Sequence, residues 1–201
     1  MFVRVRPAAP SFSMHPSQCF KFCPSCGTAL PDDRQRQPLC CPACGLVYYF
    51  NTTCATAAIV VRPDGMALFI RRAKEPRKGA LGLPGGFIDE GETAEDGVRR
   101  EFTEEVGFAP VDIDFLCSHP NTYDYKGITY PVLDFFFVAR ATGDQQAQAL
   151  DAVDSVHWLD PMTVGLEEIA FPSMKYALTQ YRERRNPGRP GFLLPGPPMH
   201  G

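Results

Sequence analysis

The sequence predicts an α+β fold preceded by a small metal-binding module, and three features of the chain lead to this prediction. Apolar runs such as Ala55–Val61 and Phe135–Val138 have the length of strands. A glycine loop leads into one amphipathic helical segment. Two Cys-x-x-Cys motifs lie near the N-terminus. The 201 residues, 44% hydrophobic and 21% charged, suffice for one domain of ordinary size and an accessory module.

The first element is a pair of motifs, Cys23-Pro-Ser-Cys26-Gly and Cys41-Pro-Ala-Cys44-Gly, which predicts a zinc ribbon. The glycine after each motif lets the chain turn sharply, so that backbone amides can point at the thiolates. Four sulfur ligands complete the tetrahedral coordination of Zn²⁺, so the site is expected to be structural. A disulfide-bonded segment is the alternative, although repeated motifs of this kind are unusual in extracellular disulfide frameworks.

The other four cysteines are expected to lie outside this ligand set. Cys40 could substitute for Cys41, but only Cys41 keeps the two-residue spacing of its motif. Cys19 is a surplus thiol before the first motif. Cys54 and Cys117 lie in apolar, strand-like segments and are expected to be packing residues.

The charge balance argues against a nucleic-acid partner. The net charge is −3, and between the cysteine motifs Arg34 and Arg36 are matched by Asp32 and Asp33. We therefore expect a small-molecule substrate and no recognition of nucleic acid by the ribbon.

Two strands are predicted after the ribbon, Thr56–Val61 and Met66–Ile70, joined by the turn Pro63-Asp64-Gly65. Five cations follow at once: Arg71, Arg72, Lys74, Arg77 and Lys78. Such a cluster is either a solvated loop or a source of one or two phosphate ligands. Arg71 and Arg72 are the favoured substrate-binding candidates in the second case.

A helix is predicted at residues 94–106. Thr93 is placed as the N-cap with Asp96 as its capping-box partner, and Gly107 follows as the left-handed C-terminal residue. One apolar stripe runs along this helix through Ala94, Val98, Phe102 and Val106. One side of the helix can therefore pack against a sheet.

The neighbouring arc of the same helix carries Glu101, Glu104 and Glu105. Carboxylates at this spacing repel one another and destabilise a bare helix, so they need a cation or solvent to compensate. Hard divalent metals such as Mg²⁺ favour oxygen ligands and are the natural candidates. A solvated acidic face is the alternative interpretation.

Read together, the loop and the helix resemble the Nudix box. Its pattern, Gly-x5-Glu-x7-Arg-Glu-apolar-x-Glu-Glu-x-Gly-apolar, is matched at Gly86, Glu92, Arg100, Glu101, Phe102, Glu104, Glu105, Gly107 and Phe108. The resemblance implies a Nudix hydrolase with an α/β/α sandwich built on a mixed sheet. Such enzymes use Mg²⁺ or Mn²⁺ to cleave pyrophosphate bonds in nucleoside diphosphate derivatives by attack of water.

The same resemblance implies roles for individual residues. The carbonyl of Gly86 and the side chains of Glu104 and Glu105 would be metal ligands. Glu101 would be a ligand or the base that activates water. Arg100 and Glu92 would form an orienting ion pair in the catalytic group, and Glu90 is a weaker extra candidate.

After the helix, four further strands are predicted: Val111–His119, Asn121–Tyr125, Ile128–Ala139 and Asp151–Leu159. Two helices, Val164–Ile169 and Ser173–Arg185, complete the pattern. Relatives often supply one more metal-binding carboxylate before the last strand. Asp154 is the candidate and Asp151 the runner-up, although a lone acid at such a place is often only a turn residue.

The order of ribbon, then Tyr48-Tyr49-Phe50-Asn51, then box is similar to zinc-containing Nudix enzymes such as NADH and FAD pyrophosphatases. The Ser-Gln-Pro-Trp-Pro-Phe-Pro-x-Ser segment of NADH pyrophosphatases is replaced here by Ser118-His-Pro-Asn-Thr-Tyr-Asp-Tyr125. Tyr123, Tyr125 and Phe108 are candidates for stacking on a substrate base, or they are structural. FAD, ADP-ribose and NAD(H) are the expected substrates. A nucleotide-sensing or regulatory module and a nucleoside triphosphate or cap hydrolase are the alternatives.

The predicted organisation has four parts. A flexible extension at 1–18 precedes a zinc ribbon at 19–50, a Nudix hydrolase domain at 51–185 and a flexible tail at 186–201. The apolar runs are too short to span a bilayer, and no secretory signal is evident, so no membrane partner and a cytoplasmic location are expected. Relatives are often homodimers, which makes a second copy a candidate partner.

Overall fold

The computed structural model describes residues 14–31, 38–142 and 145–186. Most of the predicted N-terminal extension and nearly all of the predicted tail lie outside these residues. The chain divides into two compact units. The first unit comprises residues up to Thr53 together with Thr122–Val132, and the second comprises Cys54–Asn121 and the residues from Leu133 onward.

The first unit is built around two short antiparallel strands, β1 (Leu39–Cys40) and β2 (Val47–Tyr48). A single 3₁₀ turn at Pro16–Cys19 precedes them. The buried residues of this unit are few: Cys23, Leu30, Leu39, Cys41 and Phe50. Because so small a core buries little apolar surface, a bound metal is a physically reasonable source of additional stability.

Within the described residues, seven strands form one mixed β-sheet, and most of its residues belong to the second unit. They are β3 (Thr53–Val61), β4 (Ala67–Arg72), β5 (Leu81–Gly82), β6 (Gly85–Phe87), β7 (Val111–Tyr125), β8 (Ile128–Arg140) and β9 (Val153–Leu159). The order is β5-β4-β3-β8-β7, with β6 paired to β3 and β9 paired to β4. Helix α1 spans Ala94–Val106 and helix α2 spans Pro172–Arg185.

Alternate residues of the strands face two separate cores. On one face, Ile59 and Phe69 pack with Leu178 of α2. On the other face, Val60 and Leu68 pack with the apolar stripe of α1. The sheet therefore lies between two helices, which confirms the predicted α+β class and the α/β/α sandwich.

The predicted helix at residues 94–106 is confirmed at both ends. Thr93 Oγ1 accepts a hydrogen bond of 3.1 Å from Asp96 N, and Gly107 has φ 83°. The carboxylate of Asp96 accepts from the Thr93 hydroxyl at 2.8 Å. The cap therefore fixes the start of the helix, and the left-handed glycine fixes its end.

Two predicted boundaries were wrong. β7 runs unbroken through Pro120, because β7 is the last strand in the sheet order, where a missing N–H is tolerated. The predicted helix Val164–Ile169 is only a 3₁₀ turn at Leu166–Glu168. The helix ends there because the following residues pair with β5: Ala170 N donates to Leu81 O at 2.7 Å.

In the described part of the chain, no helix is both long enough and apolar enough to cross a membrane.

Candidate active site

The acidic face of α1 packs against the glycine loop of β6. A Cβ placed on Gly86 would lie 2.5 Å from Glu101 Oε1, a distance that no side chain could occupy. Gly85 N donates a 2.9 Å hydrogen bond to Glu105 Oε2. The absence of a Cβ on Gly86 and the hydrogen bond from Gly85 N bring the loop backbone into direct contact with both carboxylates.

Arg100 organises the polar side of the helix. Its Nε and Nη2 donate to the two carboxylate oxygens of Glu92, each at 2.9 Å, which is a bidentate pair. Its Nη1 donates to Glu101 Oε1 at 2.8 Å, and Nη2 also donates to Phe87 O at 2.8 Å. The guanidinium thereby links the loop to the helix and orients Glu101.

These contacts shift the pKa values of the partners in opposite directions. The hydrogen bonds from Arg100 and from the backbone N–H of Asp89 lower the pKa of Glu92. The Glu92 carboxylate in turn raises the pKa of Arg100. Both groups therefore stay charged at neutral pH, as an orienting ion pair requires.

Glu105 is the most buried of the three acidic candidates. Burial raises its pKa to about 8, and the nearby negative charges of Glu101 and Asp151 act in the same direction. The N–H of Gly85 and the positive charge of Arg72 oppose that shift. Burial also raises the pKa of Glu101, whereas the Glu104 side chain is 53% exposed. The site thus concentrates negative charge that a bound cation would stabilise.

The carboxylates of α1 are near one another but not tightly clustered. Among the described residues, only the four cysteines discussed below form a group of three or more metal-ligating side chains within 4.8 Å. Arg100 lies between the acids, and its Nη1 is 2.8 Å from Glu101 and 3.4 Å from Glu104. Simultaneous ligation of one cation would therefore require small side-chain rotations.

The segment before β9 packs onto the C-terminal turn of α1. The backbone N–H groups of Gln148, Leu150 and Asp151 donate to the carbonyl oxygens of Val106, Glu105 and Glu104 at 3.1, 3.0 and 3.3 Å. These bonds satisfy helix carbonyls that have no partner within the helix. They also place a carboxylate-bearing segment beside the metal-binding candidates.

The structure separates the two acids proposed from this segment. Asp151 pairs with Lys74 at 3.0 Å, and its charge acts on Glu105. Asp154 is an exposed side chain on β9. The electrostatic contact with Glu105 favours the runner-up, Asp151, over the first candidate.

The two favoured arginines differ in their contacts. Arg71 is held by Gly79 O and by Glu168, each at 3.0 Å. Arg72 donates to Pro76 O at 2.9 Å, and its guanidinium lies 5.0 Å from the centre of the Phe171 ring. The charge of Arg72 lowers the pKa of Glu105, so of these two arginines Arg72 is the one that acts on the acidic site.

The aromatic candidates belong to different units of the chain. Phe108 is only 8% exposed and packs edge-on against Phe102 at 6.0 Å, so it belongs to the core and offers no stacking surface. Tyr123 and Tyr125 belong to the first unit, where Lys126 Nζ lies 5.0 Å from the Tyr125 ring. Of the two alternatives given for Phe108, stacking on a substrate base or a structural role, this packing fits the structural role.

A second candidate metal centre is formed by the four predicted cysteines. Their sulfur atoms all lie within 4.8 Å of one another, with Cys23 to Cys44 and Cys26 to Cys41 each at 3.7 Å. A tetrahedron with Zn–S bonds of about 2.3 Å has edges of about 3.8 Å. Gly27 and Gly45 both have φ 74°, the left-handed turn that the glycines were predicted to supply. The spacing of the sulfurs fits Zn²⁺ without rearrangement.

The surroundings of two cysteines in the cluster, Cys26 and Cys41, favour thiolate, whereas the other cysteines of the cluster raise the pKa of Cys44 to about 11. The hydroxyl and the backbone N–H of Thr28 lower the pKa of Cys26 to about 6. Cys41 is buried within the cluster, whereas Cys40 is exposed and is not a member. The choice of Cys41 over Cys40 is therefore supported by the geometry.

The sequence analysis missed Gly85 as a functional group. Its φ of 148° is one that residues with a side chain rarely adopt, and a Cβ on it would lie 2.1 Å from Thr56 O. The adjacent pair of glycines was a usable signal, because two successive residues without Cβ indicate close approach by other backbone or ligand atoms.

The raised pKa of Glu105 predicts that the protein without bound Mg²⁺ or Mn²⁺ loses stability as pH rises. The folded form holds the proton up to about pH 8, whereas the unfolded carboxyl releases it near its ordinary value of 4.5. Below about pH 4.5 the ionisation of Glu105 does not lower the free energy of unfolding. Between about pH 4.5 and about pH 8 that free energy falls, by roughly a few kcal/mol in total. Unfolding temperatures at pH 5, 6.5 and 8 measure this change. Glu105→Gln should show a flatter profile, and an equal slope in both proteins would contradict the prediction.

Comparison with known proteins places these features in a wider context. Residues 52–181 match the sequence profile of the NUDIX domain. The chain is 30% identical over 184 residues to the NAD-capped RNA hydrolase NudC of Stutzerimonas stutzeri, covering 88% of this chain. It spans only 60% of the length of that relative.

Solved structures show the same fold. A NUDIX hydrolase from Nitrosomonas europaea superposes with a TM-score of 0.63 at 24% identity, over 87% of this chain and 97% of that one. The NUDIX domain of Shewanella oneidensis NrtR, solved as a complex with ADP ribose, superposes with a TM-score of 0.55 at 26% identity. That match covers 69% of this chain and 91% of the other.

Proposed function

The chain belongs to the Nudix family, and from this premise we propose that it is a divalent-metal-dependent pyrophosphohydrolase of nucleoside diphosphate derivatives. The observation that carries the proposal is the contact of two partly buried carboxylates, Glu101 and Glu105, with the backbone of Gly85 and Gly86. An intact set of acids at this contact supports a hydrolase over a domain that only senses a nucleotide.

The residues present fit a hard divalent cation. Glu101, Glu104, Glu105 and the carbonyl of Gly86 supply oxygen ligands, and Asp151 supplies a further negative charge from the segment before β9. When bound, Mg²⁺ or Mn²⁺ would offset the negative charge of the pyrophosphate and lower the pKa of a water molecule. Arg100 holds Glu101 in place through its Nη1, so Glu101 is positioned either as a ligand or to accept a proton from water.

We assign phosphate binding to Arg72 rather than Arg71. Arg72→Gln should raise KM about tenfold, because one charged contact to substrate is lost. Arg71→Gln is the matched control, since Arg71 is paired with Glu168. Steady-state kinetics of both variants test this assignment, and equal effects on KM would contradict it.

The cysteine cluster is proposed to bind one structural Zn²⁺. The four sulfurs fill a tetrahedral shell, which leaves no open position for a substrate or water. The domain boundaries predicted from the sequence, with a ribbon at 19–50 and a hydrolase domain at 51–185, remain part of this proposal.

The substrate class is proposed to be dinucleotides and nucleoside diphosphate sugars, with FAD, ADP-ribose and NAD(H) as the members to test. The NrtR complex shows that a related domain accommodates ADP ribose. Mass spectrometry of products after incubation with Mg²⁺ or Mn²⁺ tests the class. A panel of FAD, NADH, NAD⁺, ADP-ribose, diadenosine polyphosphates and nucleoside triphosphates should show preferential release of two monophosphates from one compound. Binding without turnover of any compound would favour the sensor alternative.

A second candidate substrate is RNA that carries NAD at its 5′ end, because a relative of this chain is named an NAD-capped RNA hydrolase. The scissile bond would be the same pyrophosphate, so the acidic site would serve both substrates. The net charge of −3 does not favour RNA binding. Comparing kcat/KM for free NAD⁺ with that for a short NAD-capped RNA decides between the two substrates.

A further inference from the structure

Thr56 of β3 lies outside the Nudix box but contacts it at three points. Its backbone is opposite Gly86 in the pairing of β3 with β6. Its hydroxyl donates a 3.1 Å hydrogen bond to Ala94 O in the first turn of α1. Its methyl group faces Gly97, where an added Cβ would lie 3.0 Å from Thr56 Cγ2. With 2% of its surface exposed, Thr56 is a buried link between the glycine loop and the helix.

The hydroxyl contact is not needed to satisfy the helix backbone. The carbonyl of a residue in the first turn already accepts from the N–H four residues later, so the hydroxyl adds a second interaction to Ala94 O. The bond therefore acts between two elements. It fixes the separation of α1 from β3 and from the β6 loop paired with β3.

That separation decides where the carboxylates lie. An added Cβ on Gly86 would lie 2.5 Å from Glu101 Oε1, and one on Gly85 would lie 2.1 Å from Thr56 O. Glu105 Oε2 reaches Gly85 N at 2.9 Å across the same gap. A shift of α1 by a fraction of an ångström would change the two contacts that involve its carboxylates, Glu101 with Gly86 and Glu105 with Gly85.

We infer that Thr56 is a positioning residue for the hydrolytic site. Its hydroxyl sets the separation between α1 and the Gly85–Gly86 loop, and through it the placement of Glu101 and Glu105. Its methyl group contributes packing against Gly97. The inference rests on the proposed pyrophosphohydrolase function, because it assigns the role of a residue in that reaction.

Two substitutions separate the hydroxyl from the methyl group. Thr56→Val keeps the shape and removes the hydrogen bond, and it should lower kcat about tenfold or more while KM changes by less than about twofold. Thr56→Ser keeps the hydroxyl and removes the methyl group, so it should lower the unfolding temperature yet turn over substrate faster than Thr56→Val. A residue that only packs would make turnover and stability fall together.

Metal affinity gives a readout that does not depend on turnover. Titration with Mn²⁺ alone, followed by the electron paramagnetic resonance signal of the free ion, should show several-fold weaker binding in Thr56→Val than in Thr56→Ser. This difference is expected because only the first variant loses the contact that positions Glu101 and Glu105.

A second pair of variants keeps the inference testable if Thr56→Val does not fold. Gly97→Ala adds a methyl group 3.0 Å from Thr56 Cγ2 and 3.2 Å from Glu92 Oε2, and it should lower turnover through these contacts. Combining it with Thr56→Ser removes that carbon and should recover part of the lost turnover.

Unchanged kcat and Mn²⁺ affinity in Thr56→Val would overturn the positioning role, and so would a parallel fall of kcat and unfolding temperature across all variants. If the wild-type protein hydrolyses none of the substrates, the proposed function fails separately. The Mn²⁺ affinities of the variants would then still decide the role of Thr56.

Discussion

Glu105→Gln should lower kcat by about three orders of magnitude, which corresponds to about 4 kcal/mol of transition-state stabilisation. The Glu105 carboxylate is largely withdrawn from water and lies near the negative charge of Glu101, so a bound divalent cation would stabilise its ionised form. Glutamine retains an oxygen that can accept from Gly85 N, so the fold should be preserved. Steady-state kinetics with Mg²⁺ and with Mn²⁺ measure the effect.

The same variant should be at least as stable as the wild type at pH 8 when Mg²⁺ and Mn²⁺ are absent. Replacing a buried acid by a neutral amide removes the cost of ionising it. Glu95→Gln, on the exposed first turn of the same helix, is the matched control and should retain wild-type turnover. Turnover of Glu105→Gln within a few-fold of the wild type would remove Glu105 from the metal-binding set.

Cys41→Ser should abolish zinc binding and unfold the first unit, whereas Cys40→Ser should leave both unchanged. The sulfur of Cys41 lies 3.7 Å from that of Cys26 within the cluster, and its exposed neighbour takes no part. Structural zinc contributes about 10 kcal/mol or more in isolated zinc-finger peptides, so the loss of one ligand should have a large effect. Cys23→Ser should behave like Cys41→Ser.

Zinc content by elemental analysis and the unfolding temperature of each variant measure this effect. The wild type and Cys40→Ser should each hold about one zinc per chain. Full retention of zinc in Cys41→Ser would contradict the ligand assignment. Protection of the four thiols under non-reducing conditions, with no zinc present, would instead support the disulfide alternative.

The sequence predicted α1 residue by residue because local rules determine it. The cap at Thr93, the apolar stripe and the left-handed Gly107 depend only on residues within the helix and next to it. The cysteine cluster was predictable for the same reason. The two-residue spacing within each Cys-x-x-Cys motif lets a single tight turn present both sulfurs to one metal ion. These features do not require knowledge of which strands are neighbours.

The details that depend on strand pairing could not be predicted. The burial of Glu105 and its bond to Gly85 arise only when β6 pairs with β3. The contact of Asp151 with α1 also depends on packing between distant segments, because its backbone N–H donates to Glu104 O at 3.3 Å. Phe108 was a candidate for stacking on a substrate base. In the structure the residue follows Gly107, and its ring packs in the core against Phe102.

The central claim is that water cleaves the pyrophosphate bond of a nucleoside diphosphate derivative at the acidic face of α1. Incubation of wild-type protein, Mg²⁺ and the preferred dinucleotide in ¹⁸O-labelled water, followed by mass spectrometry, tests it directly. Two monophosphates with one ¹⁸O atom in one of them, formed about a thousandfold more slowly by Glu105→Gln, are the predicted result. Intact dinucleotide, or monophosphates without the label, would contradict the proposed reaction.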